Sequence, residues 1–319
     1  MNISTLLLQK ENPCGISLFN EKLIDMFRRL GFNPKEYDFK KSNSFNDNCT
    51  LFHYVPSLYA DYNDVFDKKL KVCNNLITII HGIYPKGKFN YLGDTVNNFQ
   101  KTQLEIIRKY SKSLIFLSYS TLNIYKDWFI VHDEKKKIVL RHPGLNKKEL
   151  KMELNQNKYV FTGGIIRKKK SYESQKEKKL LQSLDNKGIK VWLHSTNNTT
   201  STEVKNMVWK YTFGSLQTSQ WNKIIYQSKI ILCPYSTEIQ TVSGILSEGI
   251  SCGKLIISTS FPYALEISQE YNEYIIIEND INKWSNIISE NWDKNKTIPK
   301  FNDWYSFGKN VIRIINNVC

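Results

Sequence analysis

The chain has 319 residues, 41% hydrophobic and 13% aromatic, with a formal charge of +15. That length exceeds what one hydrophobic core organises, so two domains of about 150 residues are expected, and the apolar content excludes wholesale disorder. The longest apolar runs, such as those at 6–8, 76–80 and 275–277, fall far short of the roughly 20 residues that a membrane-spanning helix needs.

The opening Met-Asn-Ile-Ser-Thr has neither a basic n-region nor a signal-type apolar stretch, so a cytoplasmic location is expected. The cysteines Cys14, Cys49, Cys73, Cys233, Cys252 and Cys319 are scattered, with no C-x-x-C pair. They read as reduced packing thiols rather than disulfides or zinc ligands. The positive charge attracts phosphate-bearing partners: a nucleotide-sugar, an anionic membrane surface, a phosphorylated acceptor or nucleic acid. A Lys-rich coding bias would produce the same excess.

In chain order, a strand at 3–8 leads through the loop 11–17 into a helix from about 18 to 30, stopped at Gly31. A strand at 51–55 precedes a helical stretch ending near Asn74, and a strand at 75–80 ends in His81-Gly82. A helix over 97–110, a strand at 113–117 and a short strand at 137–140 complete the first half. The polar interval 146–157 reads as a linker. Beyond it come a strand at 158–161, a helix near 172–187 and a strand at 190–193. A polar loop, a helix and an edge-like segment ending at Phe213 follow, then a helix at 221–227 and a strand at 230–233. The helix from about 243 to 251 and a strand at 255–258 follow. Alternation of this kind predicts an α/β architecture of two Rossmann-like domains with parallel sheets, facing across a cleft.

The most informative segment runs from Cys233-Pro-Tyr through Gln240-Thr-Val-Ser-Gly244 and Glu248-Gly to Cys252-Gly-Lys-Leu-Ile-Ile. It resembles the donor-site signature of family 4 glycosyltransferases, retaining enzymes of GT-B fold. In that signature a loop Glu is followed eight positions later by a helix Glu. Here Glu248 is the second acid and Gln240 stands where the first usually lies. The resemblance implies that Glu248 accepts hydrogen bonds from the ribose hydroxyls, while Gln240 contacts the transferred sugar. Eight residues of helix rise about 12 Å, a span matching ribose to sugar. The backbone N–H groups of Thr241, Val242, Ser243 and Gly244 would then face the diphosphate.

Gly163-Gly164 and the following Ile-Ile-Arg167-Lys-Lys-Lys170 resemble the family loop in which Arg167 and Lys170 grip the pyrophosphate, Gly164 letting the backbone approach. Asn12-Pro-Cys-Gly15 resembles the opening turn that places Gly15 beneath the phosphates or the acceptor, and a plain strand-to-helix turn reads equally well. His81 stands where related enzymes keep a histidine near the transferring sugar. His142-Pro-Gly144 resembles the interdomain Pro-His-Gly segment with two residues interchanged and is assigned structure before chemistry. Phe261-Pro-Tyr-Ala-Leu-Glu266 resembles a post-strand loop at the donor pocket, and the helix from Trp304 to Ile315 resembles the terminal helix that returns to the first domain.

The resemblance implies an acceptor-side domain at 1–150, a nucleotide-sugar domain at 151–300 and a returning helix at 301–319. It further implies sugar transfer with retained configuration from a UDP- or GDP-linked donor, with His81, Arg167, Lys170 and Gln240 as the catalytic residues. No cofactor is implied. The chain has no Asp-x-Asp motif, so metal-independent chemistry is expected. The acceptor is left open between lipid-linked and glycan forms, with peripheral contact at the inner membrane face through Lys22, Arg28, Arg29 and Lys35. Two alternatives stand beside this reading: a nucleotide-sugar-binding protein of weak turnover, and a glycosyltransferase acting on nucleic acid.

Overall fold

The computed structural model describes residues 2–8, 15–42, 47–85, 94–129, 136–145, 159–163, 172–195, 201–214, 216–235 and 242–319. The chain divides into two compact units. The first holds Met1–His142, Glu238–Val242 and Trp304–Cys319, and the second holds Pro143–Thr237 and Ser243–Asp303.

The first unit runs β1 (Ile3–Leu7), α1 (Gly15–Arg29), β2 (Lys35–Asp38), β3 (Cys49–Tyr54), α2 (Pro56–Tyr59), α3 (Asn63–Lys71), β4 (Leu76–Ile80), α4 (Asp94–Tyr110), β5 (Ser113–Phe116), α5 (Tyr119–Trp128) and β6 (Lys136–Val139). Its strands lie in the order β2-β1-β3-β4-β5-β6, every neighbouring pair parallel. The strands β1, β3, β4 and β5 are buried at every position, as a parallel sheet covered on both faces requires. Side chains alternate between two layers. Leu51, Ile77, Ile79 and Ile115 pack on one side with Phe19, Leu23 and Phe27 of α1, while Phe52, Tyr54, Leu76 and Ile80 pack on the other with Phe66, Leu70 and Leu104. Full burial of each such side chain contributes about 1.5–3 kcal/mol.

The second unit runs β7 (Tyr159–Gly163), α6 (Tyr172–Asn186), β8 (Val191–Ser195), α7 (Thr202–Asn206), β9 (Lys210–Phe213), α8 (Thr218–Gln227), β10 (Ser228–Cys233), α9 (Gly244–Ser251), β11 (Leu255–Ser258), α10 (Pro262–Ser268), β12 (Ile275–Ile277) and α11 (Trp284–Asn291). The order β12-β11-β10-β7-β8-β9 is again wholly parallel. Counted from β7 it is the 3-2-1-4-5-6 arrangement of dinucleotide-binding sheets. The last helix, α12 (Trp304–Asn316), belongs to the first unit. Its Phe307, Val311 and Ile315 join the layer beneath α1. A Cβ on Gly308 would stand 2.5 Å from Met26 Cγ, which measures how closely α1 and α12 approach.

Three expectations need correction. The elements β2 and α5 are additional to the sequence reading: β2 is a half-exposed strand at the sheet edge with the sequence Lys-Glu-Tyr-Asp, and α5 starts at a Ser118 cap whose hydroxyl accepts from Thr121 N at 2.9 Å. The segment Phe261–Glu266 is a helix entrance rather than a loop. Pro262 occupies the first helical turn of α10, where its fixed φ and missing N–H cost nothing. Finally, α9 begins at Gly244. Ser243, extended at φ −138° and ψ 110°, interrupts any helix before Gly244, so the 12 Å rise from Gln240 to Glu248 along one helix does not hold.

Candidate functional site

In each sheet the chain leaves one strand towards both sides, between β1 and β3 in the first unit and between β7 and β10 in the second. Such switch points, at the carboxyl ends of the strands, are where open α/β sheets take ligands.

In the second unit the loops after β7 and β10 carry both donor-site motifs. Of the residues predicted there, Gly164, Arg167, Lys170, Gln240 and Thr241 lie outside the described residues. The register pairs Leu232 with Thr162, so Gly163 and Cys233 end their strands side by side. A Cβ built on Gly163 would lie 3.4 Å from Ile245 Cδ1, which brings the first turn of α9 to the end of β7. Ser243 caps that helix, its hydroxyl accepting from Leu246 N at 3.4 Å. The helix start carries the partial positive charge that favours an anion. Gly249 seats α9 tightly on the sheet, since a Cβ there would stand 2.7 Å from both Ile231 Cδ1 and Ile256 Cδ1.

Glu248 is not a solvent-facing helix residue: it is 4% exposed. Its Oε2 accepts from Trp221 Nε1 at 2.6 Å, a charge-assisted bond at the short end of the usual range. Trp221, on α8, also meets Phe161 of β7 edge-on at 5.7 Å and His194 of β8 at 6.1 Å. The carboxylate is therefore oriented by an indole that Phe161 of β7 and His194 of β8 hold in place. His194 bonds Thr212 Oγ1 at 3.1 Å, and burial lowers its pKa, which favours the neutral ring. Lys254, the lysine of the Gly-Lys pair in the motif, precedes β11 and lies at the amino end of the sheet, away from these residues. It is buried, its ammonium 5.4 Å from the Tyr226 ring centre, and burial brings its pKa down to about 8.

The first unit gathers histidines instead. His53 of β3 pairs in register with Ile79 of β4, so His53, Ile79 and His81 share one face. His53 Nδ1 and His81 Nε2 are 3.0 Å apart, and His81 N donates to Tyr54 O at 3.0 Å. His142 follows β6, its N donating to Leu117 O. The Phe19 ring of α1 meets all three imidazoles, at 5.9, 4.7 and 5.2 Å from His53, His81 and His142. Burial depresses His53 to about 3, and burial together with the neighbouring His53 and His142 holds His81 well below its usual value. His53 and His81 are thereby kept neutral at physiological pH. Gly15 opens α1, exposed, with nothing within 4 Å of a built Cβ. Val242 groups with this unit's core.

Sequence reasoning singled out Glu248 and His81 but missed the groups that hold them, Trp221 and His53. A tryptophan in an amphipathic helix reads as core, and a histidine in an apolar strand gives no sign of its cross-strand neighbour. The proposed basic face is partly spent within its own unit: Arg29 pairs with Asp25 at 2.9 Å, Lys35 with Asp47 at 3.5 Å, and Lys22 lies 5.6 Å from the Trp304 ring centre. Among the described residues no group of three or more His, Cys, Asp or Glu is arranged to hold a metal ion. None of their helices is long and apolar enough to cross a membrane.

Two six-stranded parallel sheets with interleaved helices give the chain a GT-B fold of two Rossmann-like domains. Among solved structures it is similar to Staphylococcus aureus MnaA in a co-structure with UDP, at TM-score 0.58 and 10% identity over 100% of this chain and 97% of that one. It is equally similar to WaaG, a glycosyltransferase involved in lipopolysaccharide biosynthesis, at TM-score 0.58 and 12% identity over 98% and 99% of the two chains. A Listeria monocytogenes protein assigned as a UDP-N-acetylglucosamine 2-epimerase also scores 0.58, at 8% identity over 98% and 94%. No protein-family model matches the sequence, and no curated protein matches it.

Proposed function

We propose that the chain is a retaining glycosyltransferase that moves a sugar from a UDP- or GDP-linked donor to an acceptor. The observation that carries this reading is Glu248, a buried carboxylate oriented by Trp221 one turn into a helix that starts beside the end of β7. A carboxylate offers about four acceptor positions, which suits a vicinal pair of ribose hydroxyls. The N–H groups at Ser243 and Gly244, with those of Thr241 and Val242, face the diphosphate. Arg167 and Lys170, on the loop opened by Gly164, oppose the charge that develops on the leaving nucleotide. Gln240 contacts the sugar. The second unit is thus the donor domain, and the first, with Gly15, His81 and the returning α12, is the acceptor domain. UDP binding in MnaA and sugar transfer by WaaG, proteins of like fold, support the reading.

In this scheme the diphosphate leaves on the face from which the acceptor enters, and catalysis rests on positioning and leaving-group stabilisation without a metal. The protein works in the cytoplasm, with an acceptor that is lipid-linked or a glycan. Thermal-shift screening of nucleotide-sugars, followed by mass measurement of products with and without EDTA, tests the proposal. The expected result is one stabilising donor whose sugar is transferred equally well in EDTA. Conversion of the donor to an epimer without any acceptor would replace transfer by isomerisation, and loss of transfer in EDTA with recovery on adding metal would overturn the cationic site.

A further inference from the structure

The contact between His53 and His81 fixes more than distance. Both rings are neutral, and 3.0 Å between Nδ1 of one and Nε2 of the other requires that one of them donates. If His53 Nδ1 were the acceptor, its proton would sit on Nε2. That atom is fully buried without a hydrogen-bond partner. A stranded buried N–H is the rarer arrangement, and it forfeits the whole hydration of the donor. With the proton on Nδ1, His53 donates to His81, and only an acceptor lone pair is left on its own Nε2. His81 then accepts at Nε2 and must carry its proton on Nδ1.

We propose that His53 is a positioning residue that locks His81 in the Nδ1–H tautomer, so that His81 presents a neutral hydrogen-bond donor, and not a base, at the carboxyl end of β4. The Phe19 ring, nearly perpendicular to His81 at 84° and 4.7 Å, and in contact with His53 and His142 as well, keeps the imidazole from turning to exchange its nitrogens. The depressed pKa values of both rings are consistent with a donor that stays uncharged across the neutral range. Resting on the glycosyltransferase reading, the inference specifies what His81 offers its ligand: a hydrogen bond to a sugar hydroxyl or to the acceptor oxygen, with proton removal left to other groups.

Long-range 1H–15N correlation spectra of the full chain distinguish the two tautomers, with His53→Phe and His81→Phe variants to assign the signals. The expected native spectrum shows His81 neutral and protonated on Nδ1. In His53→Phe, His81 reverts to the Nε2–H form that an unconstrained histidine side chain prefers. His53→Asn, whose side-chain amide falls near the former Nδ1, retains the native form. In the transfer assay His53→Phe lowers kcat about tenfold, the weight of one hydrogen bond, at unchanged donor KM, and His53→Asn recovers most of the loss. A native His81 protonated on Nε2 overturns the assignment, and so does a folded His53→Phe protein whose His81 is unchanged. The native spectrum decides even where a variant fails to fold. Because it needs no substrate, a native Nδ1–H signal in a protein that transfers no sugar would sink the proposed function and leave the tautomer standing.

Discussion

The two units use nearly the same scaffold and place opposite chemistry on it. The first sheet switches direction after one strand on its short side, and the second after two. Along the carboxyl ends of its strands the first unit sets three imidazoles around Phe19. The corresponding edge of the second sets a buried carboxylate, a capped helix start and an indole. The parallel sheet dictates where a site forms, and the residues that end the strands dictate what the site handles. Under the proposed function the second unit would handle hydroxyls and phosphate, and the first a group that needs a neutral donor.

The comparison breaks most sharply if one unit is destabilised alone. Gly253 sits at φ +68°, and a Cβ there would stand 2.7 Å from the carbonyl oxygen of Thr297. Left-handed strain and a backbone clash each cost about 1–3 kcal/mol, so Gly253→Ala should destabilise the second unit by about 3 kcal/mol or more. Hydrogen exchange read unit by unit is the check, and equal loss of protection in both units would mean that they unfold as one.

A smaller effect separates the chemical roles. Glu248→Ala should weaken nucleotide-sugar binding tenfold or more, since hydrogen bonds to a charged group contribute about 1.5–3 kcal/mol. Trp221→Phe, which leaves the acid but frees its orientation, should cost less. His81→Phe should cost donor affinity less than Glu248→Ala does, since a hydrogen bond between neutral groups contributes about 0.5–1.5 kcal/mol. Calorimetric titration orders the three variants, and a donor affinity that depends on His81 more than on Glu248 would reverse the assignment of the units.

The mildest test uses acid. His53 binds its proton at about 3 in the folded chain and near 6.5 when unfolded, so between those values the unfolded state holds more protons and stability falls as the pH falls. At pH 5 the difference amounts to about 2 kcal/mol from His53, and His81 acts in the same direction. Denaturant midpoints at pH 7 and pH 5 should differ less in His53→Phe than in the native chain. An unaltered pH dependence would place the titrating groups elsewhere.

What the sequence made legible follows from burial. Strands hidden on both faces, such as β4 and β11, are uninterrupted apolar runs and were read within a residue or so of their bounds. The edge strand β2 was not, because half of its surface faces solvent and its composition is that of a loop. Glu248 was recognisable through a local motif with fixed spacing. His53 and His81 stand 28 residues apart, and Trp221 and Glu248 stand 27 apart, so their pairings exist only once strand register and helix packing are set. The Phe261–Glu266 segment misled for a local reason, since a proline at a helix start looks like a proline in a turn.

The position of α12 also bears on how the chain is made. Phe307, Val311 and Ile315 fill a layer of the first unit, so that unit lacks part of its core until α12, which follows the second unit in the chain, has left the ribosome. The second unit carries its own layers entirely within residues 143–303 and meets no such delay. Synthesis and completion therefore run in opposite orders. For the time needed to translate the whole second unit, the part of α1 around Met26 and Leu30, opposite the future place of Gly308, waits uncovered, an apolar surface of the kind that chaperones shield in a nascent chain.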